Sequence, residues 1–171
     1  MAIKDQIPSD DDFHLDESER DEEGVVLSTH RKIDHRYSGY INDLSEGFAE
    51  VYLEVFEDMV VDDHGLVHDG FIFSAGSFAA VSAVNEEYGI VIGAQSHFFS
   101  PVRVNDVVIF DAKSRQKDGK KRIVDVIGRV LDVKVFHGEF SVIVPDKHIL
   151  SIKLTDLKVE TVKQKDNKKE D

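Results

Sequence analysis

From residue 37 onward the chain switches between two hydrophobic periods. Gly47 to Phe56, reading Gly-Phe-Ala-Glu-Val-Tyr-Leu-Glu-Val-Phe, is β-rich with partial alternation and predicts a strand, with a shorter one ahead of it from Tyr37 to Ile41. Phe71 to Asn85 is apolar on every side, which predicts a central buried helix rather than a surface one. Its small residues Ser74, Ala75, Gly76, Ser77, Ala79 and Ala80 let a sheet wrap close to the helix backbone. Gly76 is accepted there despite a helix penalty of ~1 kcal/mol. Asp69 is the expected N-cap. After Gly89 the strand period returns in Ile90–Ile92 with Ser96–Phe99, in Val102–Ser114, in Arg122–Phe136 and in Phe140–Val144. Lys117-Asp118-Gly119-Lys120 is a strong hairpin signal, and His137-Gly138 reads as a second tight turn. One or two strands, a buried helix, then three or four antiparallel strands make an α+β pattern. One sheet curled around one helix leaves an edge and a face uncovered, and dimerisation would manage both.

Composition narrows this. A chain of 171 residues suits one domain with a real core. No run approaches the ~18 apolar residues of a membrane span, and the first residues lack a signal peptide's apolar region, so the expectation is a cytoplasmic protein. The absence of cysteine excludes disulfides, zinc–thiolate sites and thiol nucleophiles. Scattered histidines without paired spacing predict no metal site. The net charge of −13 is uneven, because residues 1–23 hold ten acids against two bases, Lys4 and Arg20. Residues 1–24 are therefore expected to form a disordered acidic arm, a possible surface for a protein partner. Residues 25–160 are the expected folded domain, and 161–171 a polar tail that frays. The acidic balance argues against nucleic acid as a partner. The short basic cluster from Thr29 to Arg36, interrupted by Asp34, reads as a solvated face.

Candidate chemistry concentrates where Gly65-Leu66-Val67-His68-Asp69-Gly70-Phe71 opens onto the helix. The first N–H groups of a helix have no partner within it, and the macrodipole places partial positive charge there, so this junction suits an anion or a carbonyl oxygen.

Taken in order, these residues resemble the hotdog fold, an antiparallel sheet wrapped around a central helix in paired protomers. Gly65-Leu-Val-His68-Asp69-Gly70 is similar to that family's Gly-x-x-His-Gly-Gly stretch, and Phe98-Phe99-Ser100-Pro101-Val102-Arg103-Val104-Asn105-Asp106 to its apolar–x–Pro-Val-x-x-Gly-Asp turn. The resemblance covers roughly 38–144 and implies a homodimer handling acyl thioesters of coenzyme A, with the thioester carbonyl at the helix start. In the 4-hydroxybenzoyl-CoA-thioesterase type a helix carboxylate stands nine residues after the His. That place is Ser77 here, and no Asp or Glu occurs from Gly70 to Asn85. The helix Glu of the hydroxyacyl dehydratases is missing too. The run Ala75-Gly76-Ser77-Phe78-Ala79 is closer to the non-enzymatic malonyl-CoA-sensing domain of fatty-acid-synthesis repressors. The whole sequence resembles the flagella-coregulated hotdog proteins of Campylobacter and its relatives, which implies a link to motility and virulence.

The expected ligand-binding residues are His68, Asp69, Gly70, Phe71, Ser77, Phe98, Phe99, Arg103, Lys121 and Arg122. Arg103, Lys113, Arg115, Lys120, Lys121 and Arg122 are candidates for a basic rim facing the phosphates of CoA. His68 either orients a carbonyl or holds the loop, and Ser77 either touches ligand or bonds its own helix. Phe98 and Phe99 must point to opposite faces of a strand, one toward the core. Asp58, Asp62 and Asp63, with His68, are the surviving catalytic candidates. Three functions stay open: an acyl-CoA-binding sensor with no required cofactor, an acyl-CoA thioesterase using a loop aspartate, and a scaffold with a vestigial groove.

Overall fold

The computed structural model describes residues 25–151. A helical turn α1 (His35–Ser38) leads into β1 (Tyr40–Ser45) and β2 (Phe48–Glu54). Helix α2 (Asp69–Val84) and strands β3 (Ile90–Phe98), β4 (Val107–Asp118), β5 (Lys121–Val130) and β6 (Val133–Ile143) follow. The six strands form one antiparallel sheet in the order β1-β2-β4-β5-β6-β3. β1 and β3 are therefore its edges.

The sheet curls around α2, and the period-two pattern decides which face meets it. Ala49, Val51 and Leu53 of β2, Val108, Phe110 and Ala112 of β4, Val124 and Val126 of β5, and Phe136, Phe140 and Val142 of β6 are all buried against the helix. On α2 the small residues Ala75, Gly76, Ala79, Ala80 and Ala83 are buried in turn. The convex face carries an ion-pair ladder instead: Arg115 bonds Glu139 at 2.6 Å, His137 bonds Asp125 at 2.8 Å, and Arg129 bonds Asp111 at 3.0 Å.

A strap, residues 25–38, crosses the side of α2 away from the sheet. Asn85 anchors it. This residue ends α2 in the left-handed region (φ 49°). Its Oδ1 accepts from Ser28 N at 2.7 Å, and its Nδ2 donates to the Val26 carbonyl at 3.0 Å. Farther along, Ser38 and Ser74 share a hydrogen bond at 3.3 Å, His35 meets Phe78, and Tyr37 stacks on Phe71.

The α+β class, the buried helix and the Asp118-Gly119 hairpin agree with the sequence reading. Several boundaries do not. Tyr37 and Ser38 lie in α1 rather than in a strand, because Asp34 caps that turn by accepting from Arg36 N. β4 starts at Val107, since Val102 to Asp106 form a turn in which Asp106 Oδ2 accepts from Arg103 N and Asn105 has φ 68°. The long run Arg122–Phe136 is two strands, with the chain reversing at Leu131 (φ 52°) and Asp132. His137 and Gly138 are mid-strand in β6 and make no turn. Asp69 is the first helical residue, and His68 takes the N-cap place. The acidic arm, 1–24, and the tail, 161–171, lie outside the described residues.

Candidate functional site

The loop before α2 is stitched rather than loose. A 3-10 turn, Glu57–Met59, buries Met59. Val60 then pairs with Val67, and Val61 N donates to the Leu66 carbonyl at 2.8 Å. Asp62 fixes the tip, its Oδ1 accepting from His64 N at 2.9 Å and from Leu66 N at 3.0 Å. Gly65 has φ +78°, and a Cβ there would lie 2.9 Å from Val104 Cγ1, so both conformation and space demand glycine. Val67 N donates to Val102 O, Val104 N to Gly65 O, and His68 N to Met59 O, which ties the loop to the turn after β3 and aims the chain into the helix.

At the helix start His68 is extended (φ −67°, ψ 125°) and makes no side-chain capping bond. Its ring folds back over Gly70: a Cβ there would come 2.9 Å from Nε2 and 3.1 Å from Cδ2. The ring also meets Phe71 edge-on at 6.2 Å. His68, Asp69 and Gly70 are exposed, and no side chain caps the positive end of the helix, although Phe71 N donates to the His68 carbonyl at 3.1 Å. Asp69 puts a carboxylate in that first turn. A side chain at Gly70 would therefore meet the His68 ring, which is exposed and free to move aside.

Beside this junction lies an open flank. Phe73, packed on Phe140 at 5.6 Å, and Ser77 are half-buried on the side of α2 toward β3. The facing residues of β3 follow from its register with β6: Val91 opposite Val142, Ala94 opposite Phe140, Ser96 opposite Gly138, Phe98 opposite Phe136. Most of β3 is exposed, including Ile92 at 55% and Phe98 at 43%. Phe98 and Phe99 do diverge, but neither is core, because β3 is the sheet's edge. Phe98 meets Phe136 edge-on at 5.4 Å, whereas Phe99 lies under Lys134 Nζ at 4.3 Å.

The remaining candidates separate into two ends of the molecule. Arg103 sits next to Leu66, at the end where α2 begins. Lys121 and Arg122 sit at the β4–β5 hairpin, level with Ile143 and Ile90, where the chain has left the far end of α2. A 16-residue helix separates the two ends by ~24 Å. Arg122 Nη1 donates to the Gly119 carbonyl at 2.8 Å and so braces the hairpin. Lys120 pairs with Asp146, Arg115 with Glu139, and Lys113 lies over Phe48. Asp58 and Asp63 are exposed, and Asp62 has the backbone role described above. Among the described residues no group of three or more His, Asp or Glu side chains is placed to hold a metal, and no helix is long and apolar enough to cross a membrane. Sequence reasoning missed Asn85, although a polar residue at the end of an apolar helix was a visible signal for its capping role.

The fold is shared with solved proteins. PH1136 of Pyrococcus horikoshii, an uncharacterized protein, superposes with a TM-score of 0.73 at 38% identity, covering 74% of this chain and 97% of that one. The chain belongs to the hotdog-fold superfamily. Cj0977, a sigma28-regulated virulence protein of Campylobacter jejuni, matches with a TM-score of 0.71 at 33% identity over 72% of this chain and 88% of its own. A hypothetical thioesterase of Streptococcus pneumoniae, crystallised with coenzyme A, shares the hotdog fold alone, with a TM-score of 0.56 at 15% identity over 64% of this chain and 87% of its own. By sequence the chain is 43% identical over 114 residues to the methylthioribose-1-phosphate isomerase of Aquifex aeolicus, 67% of this chain. It is 28% identical over 113 residues to the transcription factor FapR of Thermoanaerobacter, 66% of this chain. The chain spans only 25% of that isomerase and 56% of FapR. No protein-family profile matches it.

Proposed function

We propose that this hotdog protein is a cytoplasmic homodimer that binds an acyl thioester of coenzyme A without efficient turnover, as a sensor or regulatory module. The observation that carries the reading is the uncapped start of α2 at Asp69 and Gly70, opening beside the bare flank formed by α2 and β3. Exposed helix N–H groups suit a thioester carbonyl. Asp69 repels a full anion at the same place, so a neutral carbonyl oxygen fits better than a phosphate.

An unpaired edge with a half-apolar inner face is a template for a second copy. Antiparallel β3–β3 pairing about a two-fold axis would set the N-terminal end of one β3 beside the C-terminal end of the other. The hairpin carrying Lys121 and Arg122 of one copy would then stand at the end where the other copy's α2 begins. In that arrangement the dimer unites groups that one protomer keeps ~24 Å apart, the carbonyl site and a basic rim for CoA phosphates.

Turnover lacks its parts in the helix: Gly70 to Asn85 holds no carboxylate, and Asp62 is committed to backbone N–H groups. A regulatory role is supported by likeness to a transcription factor and to a virulence protein, and a link to motility or virulence belongs to the same proposal. Ligand at ~100 times its dissociation constant stabilises the bound form by ~2.7 kcal/mol, enough to bias a partner surface.

Native mass spectrometry with acyl-CoAs of graded chain length tests this. Dimers retaining one intact thioester per protomer after an hour support it. Steady appearance of free CoA points instead to a thioesterase using Asp58 or Asp63, and no bound species leaves a scaffold.

A further inference from the structure

One ring, Phe136, stands among glycines between α2 and the sheet. Phe136 is wholly buried, and glycines from three elements make room for it. A Cβ placed at Gly76 on α2 would lie 2.8 Å from its Cε1, one at Gly138 on β6 2.9 Å from its Cζ, and one at Gly128 on β5 3.0 Å from its Cβ. At Gly138 the Phe140 ring is nearer still, at 2.5 Å, and at Gly128 the Phe110 ring, at 2.9 Å. Glycine is disfavoured in the middle of a helix or strand, so the chain accepts three poor residues around this aromatic cluster, and Phe136 is the ring common to all three. Phe110 and Phe140 close the sides, at centroid distances of 5.9 Å and 6.5 Å. Toward the open flank Phe136 meets the half-exposed Phe98, edge-on at 5.4 Å.

We propose that Phe136, with Phe98 at its mouth, is the plug that limits the length of acyl chain this protein accepts. The inference rests on the acyl-thioester reading above. A thioester carbonyl held at Asp69 and Gly70 sends its acyl chain along the flank of α2, past Phe73 and onto Phe98. Beyond Phe98 lies the place Phe136 occupies. The natural ligand is therefore a short-chain acyl-CoA. Truncating Phe136 opens a glycine-lined apolar cavity on the order of the ~150 Å³ voids that stay dry and accept small hydrocarbons.

The test is titration calorimetry of acetyl-, butyryl-, hexanoyl- and octanoyl-CoA against the wild-type dimer, Phe136→Ala and Phe136→Leu, each checked for folding by circular dichroism. In the wild type, affinity stops rising at the short chains. In Phe136→Ala it continues to rise by roughly fourfold per added methylene into the longer ones. Phe136→Leu, which keeps the core filled and carries the comparison if alanine prevents folding, moves the same way by less. Folded variants that bind acyl-CoAs with the wild-type length profile overturn the plug while leaving the binding reading intact. A wild type that binds none of the four overturns the binding reading, and the plug with it.

Discussion

The imidazole of His68 lies against the backbone of Gly70, so closely that a methyl group on Gly70 would sit 2.9 Å from Nε2. Ring position and helix start are thereby coupled through one missing side chain. Gly70→Ala displaces the ring from the first turn of α2. Helix propensity pulls the other way, because alanine in place of glycine favours the helix by roughly 0.5–1 kcal/mol. The expected result is a melting temperature unchanged or slightly raised, with acyl-CoA affinity down by about tenfold, the worth of one positioned hydrogen bond. Thermal melts and calorimetry on the same preparation separate the two effects.

Asn85 joins the end of the helix to a strap 57 residues earlier in the chain. Asn85→Ala loses both bonds to Val26 and Ser28 and forces alanine into φ 49°. The cost should be ~3–4 kcal/mol in urea unfolding, from two hydrogen bonds at ~1 kcal/mol each plus left-handed strain of ~1–2 kcal/mol. Asn85→Gly keeps the backbone conformation and should recover about half of that loss.

Among the loop aspartates the structure separates a structural residue from two free ones. Asp62→Ala leaves His64 N and Leu66 N without their acceptor and should destabilise by ~1–2 kcal/mol. Asp58→Asn and Asp63→Asn, at exposed positions, should stay within ~0.5 kcal/mol of wild type. Denaturant titration checks all three. On the non-catalytic reading none of them changes a rate of thioester loss already at background.

Stability should also depend weakly on pH through His30. Its ring packs beside Thr29 with Nδ1 2.7 Å from Oγ1, and partial desolvation lowers its pKa below the ordinary 6.5. The folded state then binds fewer protons than the unfolded one just below pH 6.5. The stabilising contribution is complete above 6.5 and is lost as pH falls through the lowered value. Because part of the residue stays open to water, solvent screens the effect. Unfolding free energy measured between about pH 7.5 and 5 should slope less in His30→Asn, whose side chain also tolerates the φ of 49° found there.

What the sequence made legible was whatever local chemistry decides. The all-round apolar run could only be a buried helix, and Asp118-Gly119 could only turn. The errors arose where tertiary packing reassigns a residue. Gly138 looked like a turn glycine, yet it is needed mid-strand because the Phe136 and Phe140 rings occupy the space of its side chain. The true reversal at Leu131-Asp132 carries no glycine, so an unbroken alternating run concealed it. Asn105, in the left-handed region at φ 68°, fills the place of the family's turn glycine, which residue identity alone does not announce. For the site, the helix start was readable from its residues. The separation of Lys121 and Arg122 from it required strand order, a long-range property.

The most direct measurement is hydrogen–deuterium exchange of the full chain with and without saturating short-chain acyl-CoA. The account predicts slower exchange confined to the first turn of α2, residues 68–72, and to β3 and the hairpin at 118–122, the parts brought together by pairing through β3. Bound ligand with protection elsewhere and none at 68–72 would contradict it.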